Sequence, residues 1–216
     1  MRLVVSSRNE HKLRELAALL PGHELVPLPD HVELPPETGA TFAENARTKA
    51  RAAAEATGET AIADDSGIAA AALGGRPGVR SARFAGEDAS DEDNLAKLLR
   101  DVPDGGDRRV EYVCVLAFAA PGRTDERVFE GRCAGTLAHE PRGDGGFGYD
   151  PAFVPDDAPG ERTMAELDPA DKHAISHRGR AARAFADWLE ATPGGPAGGE
   201  AAAPAQTARA GGAPSP

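Results

Sequence analysis

The stretch from Thr60 to Gly67 reads TAIADDSG and sets the interpretation of the whole chain. Its short apolar run ends in two adjacent carboxylates, Asp64 and Asp65, and Ser66 follows them directly. In α/β proteins, a strand that carries acids at its carboxyl end commonly contributes to a site. Two carboxylates supply the hard oxygen ligands that Mg²⁺ prefers, and one of them can take a proton from an attacking water. An acidic turn is the alternative, because Asp, Ser and Gly are all turn formers.

Strand-like and helix-like segments alternate on both sides of this stretch, which predicts an α/β fold. Capping pairs mark the start of two of the predicted helices, Thr41 with Glu44 and Ser90 with Asp93. Residues 27–36 are rich in proline and are expected to be irregular. Strands are predicted at 3–6, 60–63, 110–119, 127–129 and 136–138, with the third and fourth as a hairpin, and helices from about 10 to 20, 41 to 57, 90 to 99 and 177 to 189.

The composition is that of a globular chain with one core or at most two small domains. Its 216 residues are 40% hydrophobic and 27% charged. No apolar stretch approaches the roughly 20 residues that span a bilayer, and the N-terminus is too short for a signal peptide, so a cytoplasmic location is expected. A net charge of −11 disfavours a nucleic-acid binder. Cys114 and Cys133 lack metal-ligand spacing and are predicted to be buried thiols.

The end of the chain differs in composition from the rest. From Pro193 onward almost every residue is Ala, Gly or Pro, and such a segment cannot bury enough apolar surface to offset its ordering entropy. We therefore expect one globular unit over residues 1–191 and a disordered tail over 192–216.

The junction between the first strand and the first helix is a candidate phosphate site. Backbone N–H groups at a helix N-terminus carry partial positive charge and point outward. Ser7 and Asn9 add hydrogen-bonding side chains there, and Lys12 adds a full charge one turn into the helix. A simple polar helix cap would have the same appearance.

Two charged residues near the second helix are candidates for the same site. Glu37 precedes that helix and could join the acid pair as a further metal ligand, and Lys49 lies on it. The sequence does not orient either side chain, and each would also suit a solvated surface.

Two later segments look arranged for a ligand. The loop from Gly143 to Pro151 is dense in glycine, which permits close approach of backbone to a ligand, and it displays Phe147 and Tyr149. The segment from Lys172 to Gly179 brings Lys, His and Arg donors to the start of the last helix, where cations oppose the helix dipole. An anionic or carbonyl-rich ligand would remove that conflict. The alternatives are a flexible hairpin loop and a basic surface patch.

Several motifs in a fixed order resemble one known family over about residues 3–188. The chain is similar to the HAM1/RdgB-type family of inosine triphosphate pyrophosphatases. The motifs that carry the resemblance are Asn9 with Lys12, Glu37-Thr38-Gly39, Phe42-Ala43-Glu44-Asn45-Ala46, Ala63-Asp64-Asp65-Ser66-Gly67, Gly74-Gly75 with Pro77-Gly78 and Ser81-Ala82-Arg83, Gly146-Phe147-Gly148-Tyr149-Asp150-Pro151, and Ile175-Ser176-His177-Arg178-Gly179.

The resemblance implies a fold, an activity and a cofactor. The fold is an elongated mixed α/β structure with two lobes around a substrate cleft. The activity is hydrolysis of non-canonical purine nucleoside triphosphates (ITP, dITP and XTP) to the monophosphate and pyrophosphate. The family requires Mg²⁺ and works as a homodimer.

The resemblance also implies roles for residues singled out above. Asp65 is the expected proton acceptor, and Asp65, Glu37 and Asp64 are the expected magnesium ligands. The residues expected to bind substrate are Ser7, Arg8, Asn9, Glu10, His11 and Lys12 in the first loop, Lys49 and Ser66, and Phe147, Gly148, Tyr149, Asp150, Lys172, His177 and Arg178 around the base.

This chain departs from the family at two positions of the first loop. The family commonly has glycine where Arg8 and His11 stand here. Arg8 adds positive charge, which suits phosphate, whereas His11 puts a larger side chain inside the cradle.

Two other functions are alternatives to this one. A non-catalytic nucleotide-binding or sensing protein on the same scaffold would be favoured by the loss of Asp65, Glu37 or Lys12, and all three are present. A pyrophosphatase for other modified nucleotides, as in the Maf-like relatives, is disfavoured by the loop around Phe147 and by residues 176–179.

Overall fold

The computed structural model describes residues 1–123 and 126–192, and a mixed sheet organises them. The strands of this part of the chain are β1 Arg2–Val5, β2 Glu24–Pro27, β3 Ala61–Ala70, β4 Arg109–Ala119, β5 Arg127–Leu137 and β6 Phe153–Pro155. Their order in the sheet is β2-β1-β3-β4-β5-β6. β1 runs parallel to β2 and β3, whereas β3, β4, β5 and β6 pair as antiparallel neighbours. The predicted mixed α/β fold is confirmed.

Helices flank the sheet, and their predicted starts are confirmed. The helices are α1 Glu10–Leu19, α2 Phe42–Thr57, α3 Asp91–Asp101, α4 Pro169–Ile175 and α5 His177–Ala191. Thr41 and Glu44 form the predicted capping box of α2, and Ser90 with Asp93 forms that of α3. Gly58 ends α2 in the left-handed conformation, at φ 68°, which glycine adopts without steric cost.

The acid pair lies inside a strand rather than in a turn. The prediction ended this strand at Ala63, but β3 continues to Ala70 because the stretch 64–67 pairs with residues 113–116 of β4. The long antiparallel partner satisfies the backbone groups that the turn-forming side chains would otherwise have satisfied locally.

The hairpin of β4 and β5 is longer and simpler than predicted. The separate strands expected at 127–129 and 136–138 are one strand, because β5 stays in register with β4 from Arg127 to Thr136. Residues 124 and 125, between the two strands, lie outside the described residues. Cys114 of β4 and Cys133 of β5 are free and buried, as predicted.

The prediction missed two short elements, β2 and α4. β2 occupies Glu24–Pro27, just before the proline-rich connection, and α4 holds Lys172 on a separate helix ahead of α5. Among residues 1–123 and 126–192, no helix combines the length and apolar character needed to cross a membrane. Residues 193–216 of the expected tail lie outside the described residues.

The two faces of the sheet are packed by different helices. α2 covers one face, where Ala46 and Ala50 meet Ala63 and Val115 in one buried cluster. α1 and α5 cover the other face, where Ile62 and its neighbours form a second buried cluster. A third cluster, with α3 and β6, packs around the far end of β3 to β5. The middle of β3 therefore lies between all three.

Candidate active site

The strand β3 presents its two acids to opposite sides of the sheet. Neighbouring residues of a strand alternate between the two faces. Asp64 is therefore directed to the α1 and α5 side, and Asp65 to the α2 side. β1 pairs with β3 only through Val4 and Val5, so the edge of β3 beyond Ile62 has no β1 neighbour. This gap in the sheet lies beside both acids.

Asp65 lies in a small network of buried polar groups on the α2 side. Lys49 donates from Nζ to Asp65 Oδ1 at 3.2 Å and to Glu37 Oε1 at 2.5 Å. Asn45 donates from Nδ2 to Asp65 Oδ2 at 3.1 Å, while its Oδ1 accepts a bond from the backbone N–H of Gly39 at 2.8 Å. One lysine thus bridges two carboxylates, and one amide joins Asp65 to the loop that carries Glu37.

This network gives the two carboxylates different proton affinities. Burial raises the pKa of Asp65; the charge of Lys49 opposes the rise and that of Glu37 adds to it. Burial acts in the same direction on Glu37, but there the charge and hydrogen bond of Lys49, with the charges of Lys12 and Arg83, together outweigh it and the net pKa is lowered. Asp65 is therefore the better proton acceptor of the two.

Asp64 is held among cations on the opposite face. Its side chain is 0% exposed and forms ion pairs with Lys12 and with Arg178, whose Nε lies 2.8 Å from Oδ2. The thiol of Cys114 also donates to Oδ2 at 3.2 Å. Burial alone would raise the pKa of Asp64, but Arg178 and Lys12 hold it well below its usual range. Asp64 is therefore a fixed anion that orients Lys12 and Arg178.

Glu15 extends this charge network and was missed in the sequence. Its carboxylate accepts from Lys172 Nζ at 2.6 Å and from Arg178 Nη1 at 2.5 Å. Lys172 also donates to Asp150 at 2.7 Å, and the hydroxyl of Ser66 accepts from Arg178 at 3.0 Å. α1 is thereby tied to α4 and α5 through buried ion pairs. The spacing of Glu15 three residues after Lys12 places both on one helix face, and that signal was available.

The glycine-rich loop is held by hydrogen bonds to one of its own side chains and to two other segments of the chain. The N–H of Phe147 donates to Asp150 at 3.0 Å, and that of Gly148 donates to Asp91 at 2.9 Å. The hydroxyl of Tyr149 donates to the carbonyl of Ser81 at 2.7 Å. The loop is thus a built wall of the site rather than a flexible hairpin.

His177 is buried in this wall with an unsatisfied ring nitrogen. Its ring stacks on Tyr112, with centroids 4.4 Å apart and planes at 10°. Its Nδ1 and that of His173 are the buried side-chain polar atoms without a hydrogen-bond partner in the described ranges. Burial holds the pKa of His177 well below its usual value, so the ring is neutral. An unsatisfied buried polar atom calls for a partner, and a ligand can supply one.

A single cavity brings together most of the residues predicted to bind substrate. The predicted residues that line it are Asn9, Lys12, Ser66, Phe147, Gly148, Tyr149, Asp150, Lys172, His177 and Arg178. Glu37, Lys49 and Asp65 are not among its lining residues and lie on the α2 side of β3. Lys12, which lines this cavity, lies close enough to that carboxylate pair for its charge to favour the ionised form of both acids.

The other residues of the first loop do not line the cavity. Arg8 directs its guanidinium away from it, to the carbonyls of Leu28, Pro29 and Val32 at 2.8–2.9 Å. Ser7 accepts a bond from the N–H of Asn9. Glu10 and His11 are exposed on the first turn of α1. Arg8 therefore braces a neighbouring loop, and its charge is not free for phosphate in this conformation.

The three acids predicted to bind metal do not form one cluster. Residues 1–123 and 126–192 contain no group of three or more His, Cys, Asp or Glu side chains arranged to hold a metal ion. Glu37 and Asp65 share one cation, Lys49, and so have oxygens within reach of a common charge. Asp64 is surrounded by donors instead, because the alternation of β3 turns it to the other face.

Together, the sheet and this site define a mixed α/β protein with a cavity lined by cations, an aromatic ring and an unsatisfied histidine, and with a carboxylate pair on the other face of β3. A family model described as the Ham1 family matches residues 3–188. The chain belongs to the Ham1 family.

Close relatives share nearly their whole length with this chain. A protein of Mycolicibacterium paratuberculosis named dITP/XTP pyrophosphatase is 52% identical over 195 residues, which are 87% of this chain and 95% of that protein. A protein of the same name from Geobacillus kaustophilus is 48% identical and matches 89% of this chain and 96% of its own length.

Solved structures of the family have the same fold. A HAM1 protein from Coxiella burnetii superimposes with a TM-score of 0.81 at 41% identity, covering 89% of this chain and 100% of that one. A nucleoside-triphosphatase, or dITP/XTP pyrophosphatase, from Mycobacterium abscessus gives a TM-score of 0.68 at 46% identity over 88% of this chain and 99% of that one.

Proposed function

We propose that this protein hydrolyses non-canonical purine nucleoside triphosphates, namely ITP, dITP and XTP, to the nucleoside monophosphate and pyrophosphate, and so cleans the nucleotide pool. The observation that carries the proposal is one cavity lined both by cations and by an aromatic ring. Asn9 and Lys12 line it beside the start of α1, together with Phe147, His177 and Arg178. The cations suit phosphates, and the ring with its polar neighbours suits a planar, hydrogen-bonding base. The names of close relatives, given above, support the same substrates.

The donors at the base end support recognition of a 6-keto purine. Two of the three N–H groups of the Lys172 ammonium donate to Glu15 and Asp150, which leaves one N–H group for a ligand. Nδ1 of His177 has no hydrogen-bond partner in the part of the chain that the structure describes. A donor aimed at the 6-keto oxygen is satisfied by hypoxanthine or xanthine. The amino group of adenine would leave that donor unpaired, at a cost of about 1–3 kcal/mol, or roughly 5- to 150-fold in rejection.

The acid side of the site supports a hydrolytic step. Asp65 has a raised pKa and is held in place by Lys49 and Asn45, which suits a general base. In the proposed step, a water oxygen forms a bond to the α-phosphorus while its proton passes to Asp65. The bond from the α-phosphorus to the bridging oxygen breaks, and pyrophosphate leaves. Lys12 faces the phosphates and reduces the repulsion that the incoming oxygen meets.

The donor set on the α2 side suits Mg²⁺. Glu37 and Asp65 provide carboxylate oxygens beside one shared cation, and hard oxygen donors are the ligands that this ion prefers. We propose that these two residues hold the metal, with Asp64 orienting Lys12 and Arg178 rather than binding it. A bound Mg²⁺ would neutralise charge on the phosphates.

The proposal is tested by measuring products from ITP, dITP, XTP, ATP and GTP in the presence of Mg²⁺. We expect pyrophosphate and monophosphate from the first three, and far slower turnover of ATP and GTP. Asp65→Asn should lower kcat by about 10²- to 10⁴-fold, because the amide cannot accept the proton. Asp88→Asn, on an exposed aspartate, is the matched control and should behave as wild type.

Two results would contradict the proposal. Orthophosphate as the first product would place the attack at another phosphorus, and equal rates on ATP and ITP would remove the base recognition. Tight binding of ITP without any turnover would instead support the alternative of a nucleotide-binding or sensing protein.

The homodimer and the cytoplasmic location are also proposals. The first rests on the family resemblance, and the second on a composition that is ordinary for a globular protein.

A further inference from the structure

The ring of His11 stacks on the ring of Phe147. Their centroids are 5.1 Å apart and their planes meet at 25°, a geometry typical of favourable aromatic pairs. His11 lies in the first turn of α1, and Phe147 lies in the glycine-rich loop far along the chain. This contact therefore joins the first turn of α1 to the glycine-rich loop.

Phe147 needs support from outside its own loop. Gly145, Gly146 and Gly148 surround it in sequence, so no neighbouring side chain restrains the ring. The backbone of the loop is held by hydrogen bonds from Phe147 N–H to Asp150 and from Gly148 N–H to Asp91. Those bonds fix the position of the main chain, whereas the ring is contacted by side chains of other elements, namely His11, Lys172 and Arg178.

His11 is itself held in place from two directions. Its backbone N–H donates to Oδ1 of Asn9, the N-cap residue of α1, at 2.9 Å. Arg14 Nη2 lies 3.3 Å from its Nδ1. Because a guanidinium only donates, Nδ1 is the acceptor in this contact. The imidazole is therefore an anchored support rather than a free surface ring.

Phe147 lines two cavities. It lines the inner cavity with Lys12 and Arg178, and it also lines an outer cavity with His11 and Arg14. Arg178 Cζ is 5.6 Å from the ring centroid, so a donor assigned to the base lies over the same ring. With its outer side backed by His11, the ring can present its inner side to a purine.

We propose that His11 is a positioning residue for base binding, which backs Phe147 so that the ring stacks on the purine, and that it does not bind phosphate. This inference rests on the proposed function, since it assumes a purine in the inner cavity. It also assigns a role to His11, one of the two positions in the first loop where this chain departs from its family.

The test compares His11→Ala and His11→Phe with wild type, each also made in a Phe147→Ala background. His11→Ala should raise KM for ITP by about 2- to 10-fold, with kcat within about twofold, because the lost stacking serves binding of the base. His11→Phe should have the wild-type KM, since a phenyl ring can stack on Phe147 as the imidazole does. In the Phe147→Ala background, His11→Ala should have no further effect, because the two residues act through one contact.

Product inhibition distinguishes binding of the base from binding of the phosphates. His11→Ala should weaken inhibition by IMP by the same factor as KM and should leave inhibition by pyrophosphate unchanged. His31→Ala, on an exposed histidine outside both cavities, is the control and should change neither.

Each opposite result overturns the inference. Weaker inhibition by pyrophosphate, or a KM effect that persists without Phe147, would make His11 a phosphate residue. Unchanged KM in His11→Ala would deny it any role. Failure of wild type to cleave ITP would contradict the proposed function instead, and calorimetric IMP binding by the same variants would still test the stacking.

Discussion

Two neighbouring carboxylates perform different tasks because they lie on opposite faces of one strand. Asp65 accepts a hydrogen bond from Lys49 and lies near the carboxylate of Glu37, and burial raises its pKa. Asp64 meets Arg178 and Lys12, whose charges overcome the effect of burial and lower its pKa. The first is thus suited to take up a proton, and the second to remain an anion that holds cations in position.

Glu15 provides a test of the charge network at the residue scale. Glu15→Gln keeps the size of the side chain but removes the charge that two buried cations share, Lys172 and Arg178. We expect the free energy of unfolding to fall by about 1–3 kcal/mol, since buried charges are left partly uncompensated. Urea denaturation measures this, with Glu33→Gln, on an exposed glutamate, as the control. Equal stability of the two variants would show that the network contributes nothing to folding.

At the scale of elements, the position of α5 depends on its close approach to β5. A Cβ added at Gly131 of β5 would lie 2.1 Å from the carbonyl oxygen of His177 and 2.5 Å from the N–H nitrogen of Ala181. Both are backbone atoms, which cannot rotate away. The absence of a side chain at Gly131 is therefore what lets α5 bring His177 and Arg178 to the cavity.

Gly131→Ala should displace α5 or strain its packing. We expect a loss of about 1–3 kcal/mol in the free energy of unfolding, as for overpacked cores, together with a raised KM for ITP. Gly22→Ala is the matched control, because no atom lies within 4 Å of its added Cβ. A Gly131→Ala protein with wild-type stability and KM would refute this account of the contact.

At the scale of the whole molecule, buried titratable groups make the fold sensitive to acid. Burial lowers the pKa of His177 well below 6.5. Below pH 6.5 this histidine is therefore protonated in the unfolded chain but stays neutral in the folded chain. The lowered pKa values of Glu15 and Asp64 act in the same direction at lower pH, while the raised pKa of Asp65 opposes them. Stability should therefore fall as the pH decreases.

We expect the free energy of unfolding to decrease by up to about 1.4 kcal/mol per pH unit as the pH falls below 6.5. Urea denaturation at pH 7.0, 6.0 and 5.0 measures this slope. NMR of the His177 ring provides an independent check, because the folded protein should keep it neutral between pH 7 and 5.5. A flat stability profile, or protonation of His177 near pH 6.5 in the folded protein, would contradict the prediction.

Local signals predicted most of the helices and strands correctly. The capping boxes at Thr41 and Ser90 involve side chains within one turn of the backbone groups they satisfy, so sequence alone reveals them. The acidic stretch after Ala63 was read as a turn because its residue types favour turns. Pairing with β4 overrode that preference, since the partner strand lies about fifty residues away and leaves no local signal.

The sequence by itself determined the chemical inventory of the site: the acid pair, the lysines, the aromatic loop and the late His-Arg pair, in an order that matches one family. Only the tertiary structure decided which groups meet. Asp64 contacts Arg178, 114 residues away, and Asp65 contacts Lys49, because β3 continues through both acids and alternates their direction. The same long-range packing placed Glu15 between two cations and His11 against Phe147. Such contacts depend on how distant elements pack, and no short stretch of sequence contains that information.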